Sequence, residues 1–295
     1  MNITVKKLPS SRVEATVILD DARVAELAEK AVAILGQNVK LKGFRPGHVP
    51  PEMLREHIPL DRIHEKVVQE EMPVIMEEII AKHSVKPIIR PRVELKALSP
   101  MTLVMTLVER SEAKVARRKI KLPKEKESKE SPAFAEASAG KKETKEKSIE
   151  EKKREEEGKL LELIAEHTKT DLAPELIDDE AEGIIEQHAH KLSQHGISFE
   201  DWLTSQKKSV QDLLAELRPD AEKRLKIRYG VAELIKELSV DVTDAEMEQA
   251  IDQLLLPLKD VSHEDLRTLY QKGGRAYEQF REQKKVEKLL SMLRE

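Results

Sequence analysis

Residues 121–158 read KLPKEKESKESPAFAEASAGKKETKEKSIEEKKREEEG, and this stretch divides the chain into two unlike parts. Eleven Lys and Arg stand beside eleven Asp and Glu, and Phe134 is the one aromatic residue. A segment this charged and this poor in branched apolar residues buries too little surface to offset chain entropy. Residues 121–158 therefore read as a low-complexity linker, except that Ser148 to Gly158 can continue as helix into Lys159.

Before the linker the pattern is mixed. From Asn2 to Leu8, Ile3 and Val5 alternate with polar residues, Pro9-Ser10-Ser11 makes a turn, and Val13, Ala15, Val17 and Leu19 return at period two: a β-hairpin. Asp20 caps a helix whose apolar face is Val24, Leu27, Ala28, Ala31 and Leu35, closed by Gly36. A second helix spans about Asp61 to His83, with Pro73 expected to kink or split it. Arg92 to Leu98 and Met101 to Val108 then form strands across Ser99-Pro100, the second expected to pack on both faces. The result is an α+β domain over residues 1–120.

After the linker every segment is helical by pattern. Residues 159–295 form an all-α domain, with one helix carrying Val210, Leu213, Leu214 and Leu217. In Ala221 to Leu238, two apolar stripes (Leu225, Tyr229, Ala232, Ile235 and Ile227, Val231, Leu234, Leu238) mark a helix enclosed by its neighbours. Thr243 caps the next, and Gly273-Gly274 is a turn between helices.

Composition narrows the function. Of 295 residues 37% are charged, 3% are aromatic and none is cysteine. Disulfides, thiolate nucleophiles and cysteine-bound zinc are thereby excluded, and a reducing cytoplasm suits the chain. No apolar run approaches the ~18 residues of a membrane span, so no membrane insertion is expected, and Met1 to Lys7 is too polar for a signal peptide. His188, His190 and His195 lack the i, i+4 spacing of a helical metal site. No phosphate loop or nucleophile elbow occurs, so the expectation is no catalytic residue, no metal and no cofactor. Charge divides as the fold does: residues 1–120 carry 21 Lys and Arg against 16 Asp and Glu, and residues 159–295 carry 20 against 29. A basic first part is suited to an anionic surface such as ribosomal RNA.

Gly43-Phe44-Arg45-Pro46-Gly47-His48-Val49-Pro50 is the segment that stands out. Its glycines and prolines make a sharply turned loop between helices, with Phe44 and Arg45 at the tip. Such a Phe either folds back into the domain or serves as an apolar anchor beside a guanidinium suited to carboxylate or phosphate.

This segment resembles the Gly-Phe-Arg-x-Gly-x-x-Pro signature of the bacterial trigger factors, ribosome-associated chaperones. It matches at Gly43, Phe44, Arg45, Gly47 and Pro50. Leu172-Ala173-Pro174-Glu175-Leu176-Ile177 is similar to the family's entry into its helical domain. Ala221 to Leu225, continuing through Val240 to Glu246, is similar to its long central helix and the following cap. The resemblance implies a loop that docks on the large ribosomal subunit, protein and rRNA, beside the exit tunnel. It also implies a helical cradle for unfolded nascent polypeptides in folding and export, in the cytoplasm and without ATP. Phe44 and Arg45 would be the main contacts and Gly43, Pro46 and Gly47 would shape the loop; His48, which stands where a lysine is frequent, and Pro50 complete the implied ribosome-binding set. The family normally inserts a prolyl isomerase domain of about a hundred residues where this chain has the 38 of 121–158, so that domain is expected to be absent. An unrecognised isomerase and a scaffold without ribosome binding are the competing readings, and a homodimer off the ribosome is left open.

Overall fold

The computed structural model describes residues 1–37, 39, 41, 44, 49–122, 141–256 and 267–294. They form two compact units, 1–111 with 171–179, and 112–170 with 180–295. The first is α+β and the second largely helical. Residues 123–140 of the expected linker lie outside the described residues.

In the first unit β1 (Asn2–Leu8), β2 (Arg12–Ile18), β3 (Arg92–Leu98) and β4 (Met101–Val108) form an antiparallel sheet of order β1-β2-β4-β3. Val17 lies opposite Ile3 and Leu103, and Ala15 opposite Val5 and Met105, so the apolar alternation of three strands falls on one face. Helices α1 (Asp21–Gly36), α2 (Pro51–His57) and α3 (Leu60–His83) supply the rest of that core, with Leu27, Ala31, Leu54, Val67, Ile75 and Ile79 all buried. The second face of β4 departs from expectation. Thr102, Val104 and Thr106 are only half-buried, because the paired positions Thr16 and Glu14 are polar and tolerate water. Nor does Pro73 split α3, which runs unbroken. Pro73 and Gln69, whose carbonyl loses its helical donor, both lie on the exposed side, where water replaces the missing bond.

A distant segment completes this unit. Ser10 Oγ donates to Asp171 Oδ1 at 2.8 Å, and Ser111 Oγ to the Asp171 carbonyl at 2.7 Å. Arg12 pairs with Glu175 at 3.5 Å and Arg92 with Asp178 at 2.9 Å. Ala173 and Leu176 are buried beneath these contacts.

The second unit contains α4 (Lys141–His167), α5 (Pro174–Gln194) from residue 180 onward, α6 (Phe199–Gln206), α7 (Val210–Glu237), α8 (Asp244–Leu255) and α9 (Arg275–Arg294). The helix expected from Ser148 starts earlier, at Lys141, since alternating Lys and Glu are good helix formers. Residues 112–120, expected with the first unit, belong here. β5 (Ala113–Val115) pairs with β6 (Thr168–Thr170), and a 3-10 turn follows at Arg117–Lys119. Strands of three residues are too short to show a period, so an all-helical pattern concealed them.

The two helices expected on either side of Pro219 are one, α7. Pro219 and Ala215, the residue whose carbonyl it leaves free, are exposed. Buried Leu225, Tyr229, Val231 and Leu234 line its inner side, and Val231 and Leu234 pack with Leu160 and Ile164 of α4 and Leu289 and Leu290 of α9. Gly230 allows the close approach: a Cβ there would overlap Thr168 Oγ1 and come within 2.6 Å of Ile164 Cγ2. Two smaller clusters lie around Leu203 with Leu213 and around Met247 with Tyr277.

Thr243 starts α8 with a capping box. Its N–H and hydroxyl donate to Glu246 Oε2 at 2.7 and 3.0 Å, and Lys288 Nζ donates to Oε1 at 2.8 Å. Lys288 first, then the Thr243 N–H and hydroxyl, hold the Glu246 carboxyl down at about 2, against an ordinary 4.5.

Two outcomes test these contacts. Gly230→Ala, a change that normally favours a helix, should destabilise by about 1–3 kcal/mol through overpacking. Gly183→Ala, where a Cβ meets nothing within 4 Å, should be neutral or stabilise by up to ~1 kcal/mol; denaturant unfolding measures both. A carboxyl depressed in the fold adds stability that is complete above its unfolded pKa of 4.5 and is lost as pH falls towards about 2. Glu246→Gln should therefore melt below the parent at neutral pH, and the gap should close between these values. A gap independent of pH would show that the charge is not responsible.

Candidate functional site

The Gly43–Pro50 loop joins α1 to α2, and both its ends are anchored. After α1, the Val39 N–H bonds the Gly36 carbonyl at 3.2 Å, and Val39 and Leu41 rest half-buried on the first core. On the far side Val49 is buried, Pro50 precedes α2, and Leu54 on that helix is buried against the same core. The two ends meet directly, since a Cβ on Gly36 would collide with the Leu54 side chain. An Arg55–Glu29 ion pair also joins α2 to α1.

Phe44 is 38% exposed and stands outside the core cluster. Its N–H bonds the Leu41 carbonyl at 3.2 Å, which turns the chain just ahead of it. The alternative in which Phe44 folds back into the domain is thus not the conformation seen. Gly43, Arg45, Pro46, Gly47 and His48 lie outside the described residues.

The helices behind the loop are tied by a bidentate contact. Arg23 Nε and Nη2 reach Glu71 at 3.2 and 2.9 Å, and the Glu71 side chain is almost wholly buried. Hydrogen bonding to Glu71 and its charge hold the Arg23 guanidinium above its ordinary value. α1 and α3 are therefore tied together behind the loop, on which Phe44 is partly exposed.

Two of the three clustered histidines, His188 and His190, have structural partners. His188 packs edge-on to Trp202 at 4.6 Å, and His190 bonds Gln194 at 3.1 Å. Among the described residues no group of three or more His, Asp and Glu could hold a metal ion, and no helix is long and apolar enough to cross a membrane.

Sequence reasoning missed α2 and the tie between Gly36 and Leu54. The signal was present in Pro50-Pro51-Glu52, since proline at the first helical position and an acid in the first turn mark a helix start. It also missed the Asp171–Asp179 segment as part of the unit that bears the loop, because those residues were assigned to the helical domain.

Comparison with known proteins accords with this geometry. Residues 1–137 match the family described as "Bacterial trigger factor protein (TF)", and residues 139–295 match "Bacterial trigger factor protein (TF) C-terminus". The chain is 28% identical to the trigger factor of Agathobacter rectalis over 109 residues, which is 37% of this chain and 25% of that protein. It is 32% identical to that of Nostoc sp. over 116 residues, 37% of this chain and 23% of the relative. With that of Mycobacteroides abscessus it shares 34% over 95 residues, 32% and 19% of the two chains. The chain thus spans about a quarter or less of the length of these curated relatives. A solved structure described as "Promiscuous Substrate Recognition in Folding and Assembly Activities of the Trigger Factor Chaperone" superposes with a TM-score of 0.59 over 99% of both chains at 18% identity, a likeness of fold.

The placement of Phe44 and Leu54 predicts opposite effects on stability. Leu54→Ala should cost about 2–5 kcal/mol, as a buried leucine does when removed. Phe44→Ala should stay within about 0.5 kcal/mol of the parent. Denaturant unfolding of the two variants checks this, and a large loss at Phe44 would make it a core residue.

Proposed function

The chain belongs to the bacterial trigger factor family, and we propose that it docks beside the exit of the ribosomal tunnel through the Gly43–Pro50 loop and holds nascent chains with its helical unit. The observation that carries this reading is the exposed Phe44 on a loop anchored at both ends by Val39, Leu41, Val49 and Leu54. An apolar ring held out from a stiff frame loses little freedom on docking, which is what a compact anchor requires. Arg45 would supply the charge-assisted contact to rRNA phosphate or a protein carboxylate.

Holding requires neither ATP nor another cofactor. Weak contacts with many unfolded chains need scattered apolar groups on a polar surface, and the second unit exposes Ile197, Val210, Leu254, Leu256 and Leu269. We also infer that the chain lacks the family's prolyl isomerase domain. The two family matches end at residue 137 and begin at 139, which supports a direct join. The proposed place of action is the cytoplasm, where ribosomes translate.

One set of measurements tests the proposal. Phe44→Ala with Arg45→Ala should lose co-sedimentation with ribosomes by about thirtyfold or more in affinity, the effect of ~2 kcal/mol at an anchor. Its melting, and its suppression of aggregation without ribosomes, should match the parent. The parent should leave Xaa-Pro exchange in a peptide at its uncatalysed pace of tens to hundreds of seconds. Undiminished sedimentation would reject the loop as the docking element, and accelerated exchange would restore the isomerase reading.

A further inference from the structure

Residues 159–295 carry 20 Lys and Arg against 29 Asp and Glu, yet one edge of the second unit is basic. β5 and β6 pair so that Lys114 stands directly opposite Lys169, and like charges at that position weaken a ribbon. The 3-10 turn beyond β5 exposes Arg117, Arg118 and Lys119 in succession, and exposed Lys121 follows. Among the described residues none of these six cations has an ion pair or a side-chain hydrogen bond. On α9, by contrast, Arg281 meets Asp241, Lys288 meets Glu246 and Arg294 meets Glu156.

Four of the six cations, Arg117, Arg118, Lys119 and Lys121, rim a groove of about 1070 Å³ between this segment and the last turn of α9. Apolar Val115, Ile120, Leu122, Met292 and Leu293 line it, and Met292 is 46% exposed. Among the described residues Glu237 is the one acid in the lining and no aromatic ring lines it, so these residues make a poor platform for nucleic-acid bases, which single-strand binders hold largely by stacking. An apolar floor with unmatched cations at its rim suits apolar side chains flanked by carboxylates.

We propose that the groove between residues 115–122 and the end of α9 binds acidic, apolar segments of unfolded polypeptides. The proposal deepens the chaperone reading by naming a client class, and rests on it for the source of those segments. The cations Arg117 and Arg118 select carboxylates and set the salt dependence, while Met292 and Leu293 supply apolar contact.

The test uses the whole protein without ribosomes and reads fluorescence anisotropy of labelled peptides. One peptide alternates Leu with Glu, a second alternates Leu with Lys, and a short single-stranded RNA serves as the third probe. The Leu-Glu peptide should bind about tenfold or more tighter than the Leu-Lys peptide, and added salt should shrink the difference. Arg117→Glu with Arg118→Glu should reverse the preference while melting stays unchanged, since both side chains are exposed. Met292→Asp should weaken the Leu-Glu peptide, and Phe44→Ala with Arg45→Ala should leave all three affinities as they were. A lost ribosome interaction with an intact peptide preference therefore separates the two proposals. Equal binding of the two peptides, or no response to charge reversal, overturns the client assignment. RNA bound more tightly than either peptide through Arg117 and Arg118 would make the edge a nucleic-acid surface, and dimers abolished by the same reversal would assign the groove to a second copy of the chain; either result overturns the proposal.

Discussion

The second unit depends on the absence of one side chain. At Gly230 helix α7 comes so close to the end of α4 that Ile164 and Thr168 occupy the space a Cβ would need. Thr168 turns its hydroxyl to the Ile164 carbonyl at 2.6 Å and begins β6. That single contact therefore sets where α4 stops and where the ribbon pairs with β5. It also sets how the segment after β5 runs towards the end of α9, which determines the basic groove. Glycine normally weakens a helix interior by roughly 0.5–1 kcal/mol. Here that cost is offset by the packing of Leu160, Ile164, Val231 and Leu234 around it.

The first unit solves a different problem, that of holding an apolar ring in water without losing it to the core. Phe44 stays out because the positions around it are already committed. Val39 and Leu41 before it, and Val49 and Leu54 after it, share the core under the sheet. Gly36 and Leu54 meet behind them. Burial of the flanks thus produces exposure at the tip, and the Arg23–Glu71 contact keeps the helices beneath from adjusting.

The legible parts of the chain were those with one buried face and enough length to repeat. The strands from Asn2 to Leu8, Arg12 to Ile18 and Met101 to Val108 show period two because one face packs on the core shared with α1 and α3. The helix from Leu60 to His83 shows its stripe for the same reason. Strands of three residues and a helix of two turns are too short to carry such a record, and β5, β6 and α2 were hidden for that reason. Pro73 misled as a helix break, since an exposed proline costs a helix only a bond that water supplies. Contacts made by polar groups across great sequence distance, such as Ser10 with Asp171, leave no local pattern at all. At the candidate site, residue types identified the loop, whereas the exposure of Phe44 required the packing of its neighbours.

The segment 171–179 has a consequence for how the protein itself is made. A ribosome releases residues 1–111 first, and then must polymerise 112–170 before Asp171, Glu175 and Asp178 exist to meet Ser10, Arg12 and Arg92. At roughly 5–20 residues per second that interval lasts about three to twelve seconds. Throughout it Ser10, Arg12 and Arg92 lack these partners. The part of the chain that carries Phe44 is thus synthesised before the residues that complete its polar contacts, and waits for them through that interval.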